Sequence, residues 1–196
     1  MRQLYFVRHG ESVDNAANVW SHTDTPLTEL GRAQAVAIAE AIKKSELHFD
    51  LIVTSPLARA IETAQIIASV LNYPAYNIQA NPQFVERDWG ELTGLAKVYG
   101  PFSAQERALL NNRTVETVEA LQQRAAKALA LLQQVSEENV LLVGHSAFGR
   151  ALWRVLHNQP PTLEYDPDTV ALFNSHNIIP CIIAPPQDKK KWPRQK

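Results

Sequence analysis

One cysteine, one methionine and seven glycines among 196 residues rule out several kinds of protein before any motif is read. The lone thiol, Cys181, cannot form an intrachain disulfide, and no cysteine or histidine spacing of a structural zinc site accompanies it. It is expected to be a small apolar strand residue. No apolar stretch approaches the roughly 20 residues of a membrane span. The first, Leu4 to Val7, ends at Arg8 and is too short even for a signal-peptide core, so a cytoplasmic protein without a membrane partner is expected. An excess of one charge is missing too. Nineteen basic residues face twenty acidic ones for a net charge of -1, and this balance argues against a nucleic-acid partner. Basic residues crowd only at Lys189, Lys190, Lys191, Arg194 and Lys196, where a solvated, flexible tail over 187–196 is expected. The rest, 1–186, suits one catalytic domain, with 45% hydrophobic and 20% charged residues in the chain as a whole. The Gly and Lys spacing of a P-loop is absent, as are clustered aspartates suited to bridging metals, so neither metal nor cofactor is expected.

What is present is an alternation of strand and helix patterns. Leu4 to Val7, Leu51 to Thr54 and Val140 to Val143 are short apolar runs of the kind buried on both faces of a parallel sheet. From Thr28, apolar positions Leu30, Ala33, Ala37 and Ala41 predict a helix that Gly31 only modestly disfavours. Ser55 and Pro56 read as the start of a second helix with the stripe Leu57, Ala60, Ile61, Ala64, Ala68 and Leu71. Val118, Leu121, Ala125, Ala128, Leu132 and Val135 predict a long amphipathic helix over Val115 to Ser136, and a shorter one should run through Ala151, Leu152 and Val155. Val170 to Phe173 and Ile178 to Ile183 read as two last strands joined at Asn174 to Asn177, a hairpin at the sheet edge. The pattern predicts a three-layer α/β/α sandwich with a mostly parallel central sheet. Ligands in such folds bind outside the carboxyl ends of the strands. The stretch Lys97 to Thr114 is the expected excursion over that mouth.

Two histidines fall at strand ends. His9 stands between Arg8 and the flexible Gly10, and His145 follows Gly144. Neutral imidazole is a competent nucleophile, and a transferring phosphoryl group needs cations around its three equatorial oxygens. Arg8 and Arg59 can each offer a planar fork of donors, and Arg59 lies early in its helix, where the dipole also favours an anion.

RHGES at 8–12, PLTELGRAQA at 26–35, TSPLARAIETA at 54–64 and VGHSAFGRAL at 143–152 together resemble the histidine phosphatase superfamily, in its phosphoglycerate mutase-like branch. The resemblance covers about 4–155. It implies a phosphoglycerate mutase-like fold and a phosphohistidine on His9. Arg8, Arg59 and His145 would form the phosphate pocket, His145 as a cation, and Asn15 would be a polar contact. VERDWGELTGL at 85–95 resembles the loop that carries the proton donor, which would be Glu86. Physically, Glu86 must then hold a proton when substrate arrives. The expected activity is metal-independent removal of phosphate from small phosphorylated metabolites, with mutase-type transfer as the alternative.

Lys97 falls where mutases of the family place a substrate-binding lysine, but Arg113 is alone where they carry adjacent arginines. Trp89 replaces their tyrosine, Ser21 and His22 a threonine and glycine, and Ala147 an asparagine, and the excursion is short; these departures favour hydrolysis. Ser21, His22, Arg87, Trp89, Lys97, Arg113 and Ser146 are the expected substrate contacts. Trp20 and Trp89 could equally stack on a ligand ring or pack together. Two rival readings are weaker. GHSAFG at 144–149 superficially matches a serine-hydrolase elbow, followed by Asp166, Asp168 and His176, but Phe148 stands where the elbow needs glycine. A catalytically inactive binding module would be expected to lack some of these residues. Monomer and homodimer are both compatible with the sequence.

Overall fold

A computed structural model describes residues 2–97, 114–162 and 167–183. Strands β1 (Arg2–Arg8), β2 (Leu51–Thr54), β3 (Gln79–Ala80), β4 (Asn139–Gly144) and β5 (Ile179–Ile183) form one sheet in the order β3-β2-β4-β1-β5. All neighbouring pairs are parallel except β1 with β5. The helices are α1 (Val13–Ala16), α2 (Glu29–Lys44), α3 (Ala58–Val70), α4 (Val118–Gln134), α5 (Ser146–Leu156) and α6 (Pro167–Asn174). Arg113, Asp166 and the basic tail lie outside the described residues, as does most of the excursion after Lys97.

Alternation along the strands builds the three layers. Leu4, Phe6, Leu51, Val53, Val140 and Leu142 turn to one face and pack on Leu121, Ala125, Leu129 and Leu132 of α4 and Phe148 and Leu152 of α5. Tyr5, Val7, Ile52, Leu141 and Val143 turn to the other and pack on Ile38, Ala39 and Ile42 of α2 and Ala60, Ala64, Ile67 and Ala68 of α3. A strand covered on both faces has no polar side to show, which is why these segments read as unbroken apolar runs. The parallel register sets Arg8 beside Gly144 and Thr54 beside Val143. His9 and His145, each the next residue, therefore emerge level with one another at the carboxyl edge of the sheet, with Ser55 one residue below them beside Gly144.

Four sequence expectations need correction. Residues 170–173 are helical, not a strand; Phe173 is 1% exposed and meets Phe6 edge-on with ring centroids 5.2 Å apart, so its aromatic character serves the core beneath α6. Only Ile179–Ile183 forms the antiparallel edge. On α2 the buried positions are Gly31, Ala35, Ile38, Ala39 and Ile42, whereas Leu30, Ala33, Ala37 and Ala41 face outward. The two isoleucines select the core face, because they bury more apolar area than the alanines opposite. Helix α3 begins at Ala58 behind Leu57 instead of at Pro56. Helix α4 begins at Val118 because the Thr117 hydroxyl caps the Ala120 N–H at 3.1 Å.

Gly31 matters more than its helix propensity suggests. A β-carbon there would stand 2.0 Å from the Glu11 carbonyl oxygen, and one on Gly10 would stand 2.1 Å from that of Gly31. These two glycines let the segment after β1 lie directly on α2. Alanine at 31 would gain about 1 kcal/mol in helix propensity. Forcing backbone off backbone costs about 1–3 kcal/mol or more. At the upper end of that range packing wins by about 2 kcal/mol, and Gly31→Ala should lower the melting temperature by up to roughly 8 °C, given about 2–4 °C per kcal/mol for a domain of this size. A rise in melting temperature would contradict this contact.

Candidate active site

Chain geometry fixes the tautomer of His9. Its Nδ1 lies 2.6 Å from the Gly10 carbonyl oxygen, an acceptor only, so Nδ1 carries the proton. The remaining nitrogen, Nε2, accepts from Arg59 Nε at 3.2 Å, and the ring is 3% exposed. Burial first, then the Arg59 and Arg8 guanidinium groups, push its pKa well below the ordinary histidine value. The result is a neutral imidazole whose lone pair belongs to Nε2.

His145 packs edge-on against it, with ring centroids 5.0 Å apart. Its Nε2 lies 2.8 Å from the Ser55 hydroxyl, which already accepts the Leu57 N–H at 3.3 Å. In the tautomer in which the Ser55 O–H donates to Nε2, the ring proton is on Nδ1, and that atom is buried without a partner. Burial, then Arg59, His9 and Arg8, hold the pKa well below the ordinary value. Without an anion in the pocket, nothing among its neighbours repays burying a charge on this ring.

Both arginines are at the site. Arg59 is 2% exposed, reaches from the first turn of α3 and is braced by the carbonyls of His22 at 2.8 Å and Thr23 at 3.4 Å. Arg8 donates to the Asn174 carbonyl at 3.2 Å and to Asn15 Oδ1 at 3.5 Å, while its Nε is buried without a partner. Burial lowers the pKa of each guanidinium; Glu86 opposes that in both. Glu86 itself lies on the start of α5, its carboxylate accepting from Ala147 N at 3.2 Å, Phe148 N at 3.0 Å and Arg87 N at 2.9 Å. Backbone donors at a helix N-terminus suit an anion.

The remaining candidates divide. Asn15 links Arg8 to Ser21, through its Nδ2 to the Ser21 hydroxyl at 3.4 Å. Lys97 is near enough to Arg8, Glu86, Arg59 and Asp14 to feel each, and burial followed by Arg8 lowers its pKa; its Nζ lies 5.5 Å from the Trp20 ring centroid. The His22 ring is directed to Asp14, with Nδ1 3.0 Å from Oδ2, and its N–H meets the same oxygen at 2.7 Å. Arg87 is buried, donates to the Glu116 carbonyl at 2.7 Å and lies over Trp89. Trp89 in turn packs on the buried Trp20 with ring centroids 4.0 Å apart, so the two indoles cover each other. The Ser146 hydroxyl donates to Asn174 Oδ1 at 2.7 Å and accepts from Arg150 at 2.6 Å. Neither neighbour is a base, and the serine-hydrolase reading gains no support from them.

Sequence reading missed Ser55 as the partner of His145, although it singled Ser55 out as a helix cap. Asp14, Asn174 and Arg124 were also missed: in each a bond has a main-chain atom on one side, and backbone leaves no mark in a pattern of side chains.

Burying two neutral histidines has a sign. Each binds a proton readily when unfolded, near pH 6.5, and poorly when folded, so stability is fully present above that pH and lost as pH falls below it. The slope approaches about 1.4 kcal/mol per pH unit for each ring. Urea unfolding at pH 5 and pH 7 should show the loss, and replacing both rings by asparagine should flatten it.

Comparison with known proteins places the fold and the family. The profile of the histidine phosphatase superfamily (branch 1) matches 4–172. An uncharacterized phosphatase, PhoE of Bacillus subtilis, is 33% identical over 168 residues, covering 84% of this chain and 82% of its own. The 2,3-bisphosphoglycerate-dependent phosphoglycerate mutase of Bartonella bacilliformis is 41% identical over 97 residues, and the match spans only 49% of this chain and 47% of the mutase. Among solved structures, a mycobacterial glucosyl-3-phosphoglycerate phosphatase complexed with inorganic phosphate superposes with a TM-score of 0.67 at 26% identity, covering 82% of this chain and 81% of that one. The α/β sandwich is thus that of a known class. The chain belongs to the histidine phosphatase superfamily, in the branch that includes the phosphoglycerate mutases.

Proposed function

We propose that the protein is a phosphomonoesterase that hydrolyses small phosphorylated metabolites through a phosphohistidine on His9, without a metal ion. The observation that carries this reading is the His9 ring: neutral, buried, with its proton on Nδ1 and its lone pair on Nε2, where Arg59 Nε meets it at 3.2 Å. In the first step Nε2 forms a bond to phosphorus while the bond from phosphorus to the leaving oxygen breaks, and Glu86 gives that oxygen a proton. In the second, a water oxygen bonds to phosphorus, the nitrogen–phosphorus bond breaks, and the water proton passes to Glu86. The unpartnered Arg8 Nε and His145 Nδ1 are the donors an incoming phosphate would satisfy. A phosphate dianion would also favour protonation of His145, supplying positive charge to the pocket.

Asn15, Ser21 and Lys97 are the polar groups best placed to meet the rest of the substrate. Hydrolysis is favoured by the alignment, which covers most of the Bacillus phosphatase but about half of the mutase. Mutase-type transfer is the second reading, supported by Lys97 at the mouth, where a second anionic group would be held. A screen of phosphorylated metabolites, phosphoglycerates included, in the presence of EDTA tests both. Labelled substrate should release its label as inorganic phosphate, and chelation should leave the rate unchanged. Label retained in an isomer would identify a mutase; activity lost to EDTA and restored by a divalent cation would overturn the metal-free mechanism.

A further inference from the structure

We infer that Arg124 is a positioning residue for proton transfer to the leaving group, setting Glu86 at the depth from which it can reach the departing oxygen. The inference rests on the reading of Glu86 as the proton donor. Arg124 sits on α4, opposite the segment that carries Glu86, and all five of its N–H donors are matched. Nε and Nη2 grip the Glu116 carboxylate as a fork, at 2.9 and 2.7 Å. Nη1 donates to the carbonyls of Val85 at 2.7 Å and Gln83 at 3.2 Å, and Nη2 also to that of Glu86 at 3.2 Å. Glu116 holds the same segment from its far side, since its carbonyl accepts from Arg87 and its carboxylate accepts the Asp88 N–H at 3.2 Å.

Both ends of Glu86 are therefore fixed from different helices. Arg124 of α4 holds its backbone, while the first N–H groups of α5 hold its carboxylate. The two anchors touch: the Arg124 guanidinium lies over the Phe148 ring, 5.4 Å from its centroid, and the Phe148 N–H is one of the carboxylate's donors. Among the described residues after β3, 81–97 hold the Glu86 segment by isolated 3₁₀ turns and short bridges alone. An irregular segment does not hold a proton donor to a fraction of an ångström unaided, and misplacement by about 1 Å can cost 10²-fold in rate. Only a planar fork with five donors makes this set of contacts; lysine, a point charge with three, does not.

Leaving-group dependence separates positioning of the acid from general support of the fold. A nitrophenolate departs without a proton, whereas an alkoxide needs one. The value of kcat/KM reports the steps up to departure of the alcohol. Arg124→Lys should lower kcat/KM for an alkyl phosphate by about 10–100-fold and for p-nitrophenyl phosphate by less than about 3-fold, within the range of a general loosening. Glu86→Gln calibrates the assay, with the same selectivity and a larger loss. Combined with Glu86→Gln, Arg124→Lys should add almost nothing for the alkyl ester, as expected of residues acting as one unit. Should Arg124→Lys fold poorly, Glu116→Gln weakens the same clamp and should show the same selectivity. Equal losses on both esters, no loss on either, or multiplicative losses in the double variant would overturn the inference while leaving Glu86 as the acid. A Glu86→Gln enzyme with no leaving-group preference would remove the acid itself, and Arg124's role with it.

Discussion

His9→Ala should reduce kcat by at least about 10⁴-fold, the scale of losing a covalent nucleophile. Neither His145 nor Ser146 is placed to take over. His145 is the nearest imidazole, but its Nε2 faces Ser55. The Ser146 hydroxyl faces Asn174 and Arg150, so no base activates it. The variant should still bind inorganic phosphate, because Arg8, Arg59 and His145 remain. Steady-state rates alongside a phosphate-binding titration would separate lost chemistry from a lost site. Turnover near that of the unaltered enzyme would remove His9 from the mechanism.

Arg59→Ala should be the next most damaging change, with kcat/KM falling by about 10³-fold, as for other arginines that stabilise a transferring phosphoryl group. Arg59 also donates to His9 Nε2 and is one of the charges that lower that ring's pKa. Removing it should let His9 bind a proton more readily, so the acid limb of the kcat/KM profile should move to higher pH. Loss of the side chain also strips the His22 carbonyl of its 2.8 Å donor and weakens the contact at Thr23. These carbonyls lie on exposed residues where water can replace the donor, so the loss should stay near about 1 kcal/mol, which a thermal melt would detect. An unchanged acid limb would mean that Arg59 does not act on the nucleophile.

Much of this site could be read in advance because local sequence and parallel register reinforce each other. Three apolar runs each end in a polar residue, and a parallel sheet carries His9, Ser55 and His145 to the same edge. The two α2 faces were confused because alanines recur every four residues on the exposed side, where they satisfy a count of apolar positions without adding much to the core. Phe173 misled for a related reason: an aromatic residue suits a strand, but here it fills the space between α6 and β1. The glycine contact at Gly10 and Gly31 joins segments twenty residues apart through backbone, beyond the reach of propensity. Arg124 is the clearest case of what stayed hidden. Three of its acceptors are main-chain carbonyls some forty residues away, and only the fold brings them within reach.

The decisive measurement is a rapid-quench reaction with substrate labelled in its phosphoryl group, followed by peptide mapping under alkaline conditions that preserve phosphohistidine. Acid-labile label on the peptide containing His9, formed and lost at rates compatible with turnover, is the expected result. Label on the peptide of His145 or Ser146, or no covalent label while turnover proceeds at a rate that should accumulate it, would contradict His9 as the phosphoryl acceptor.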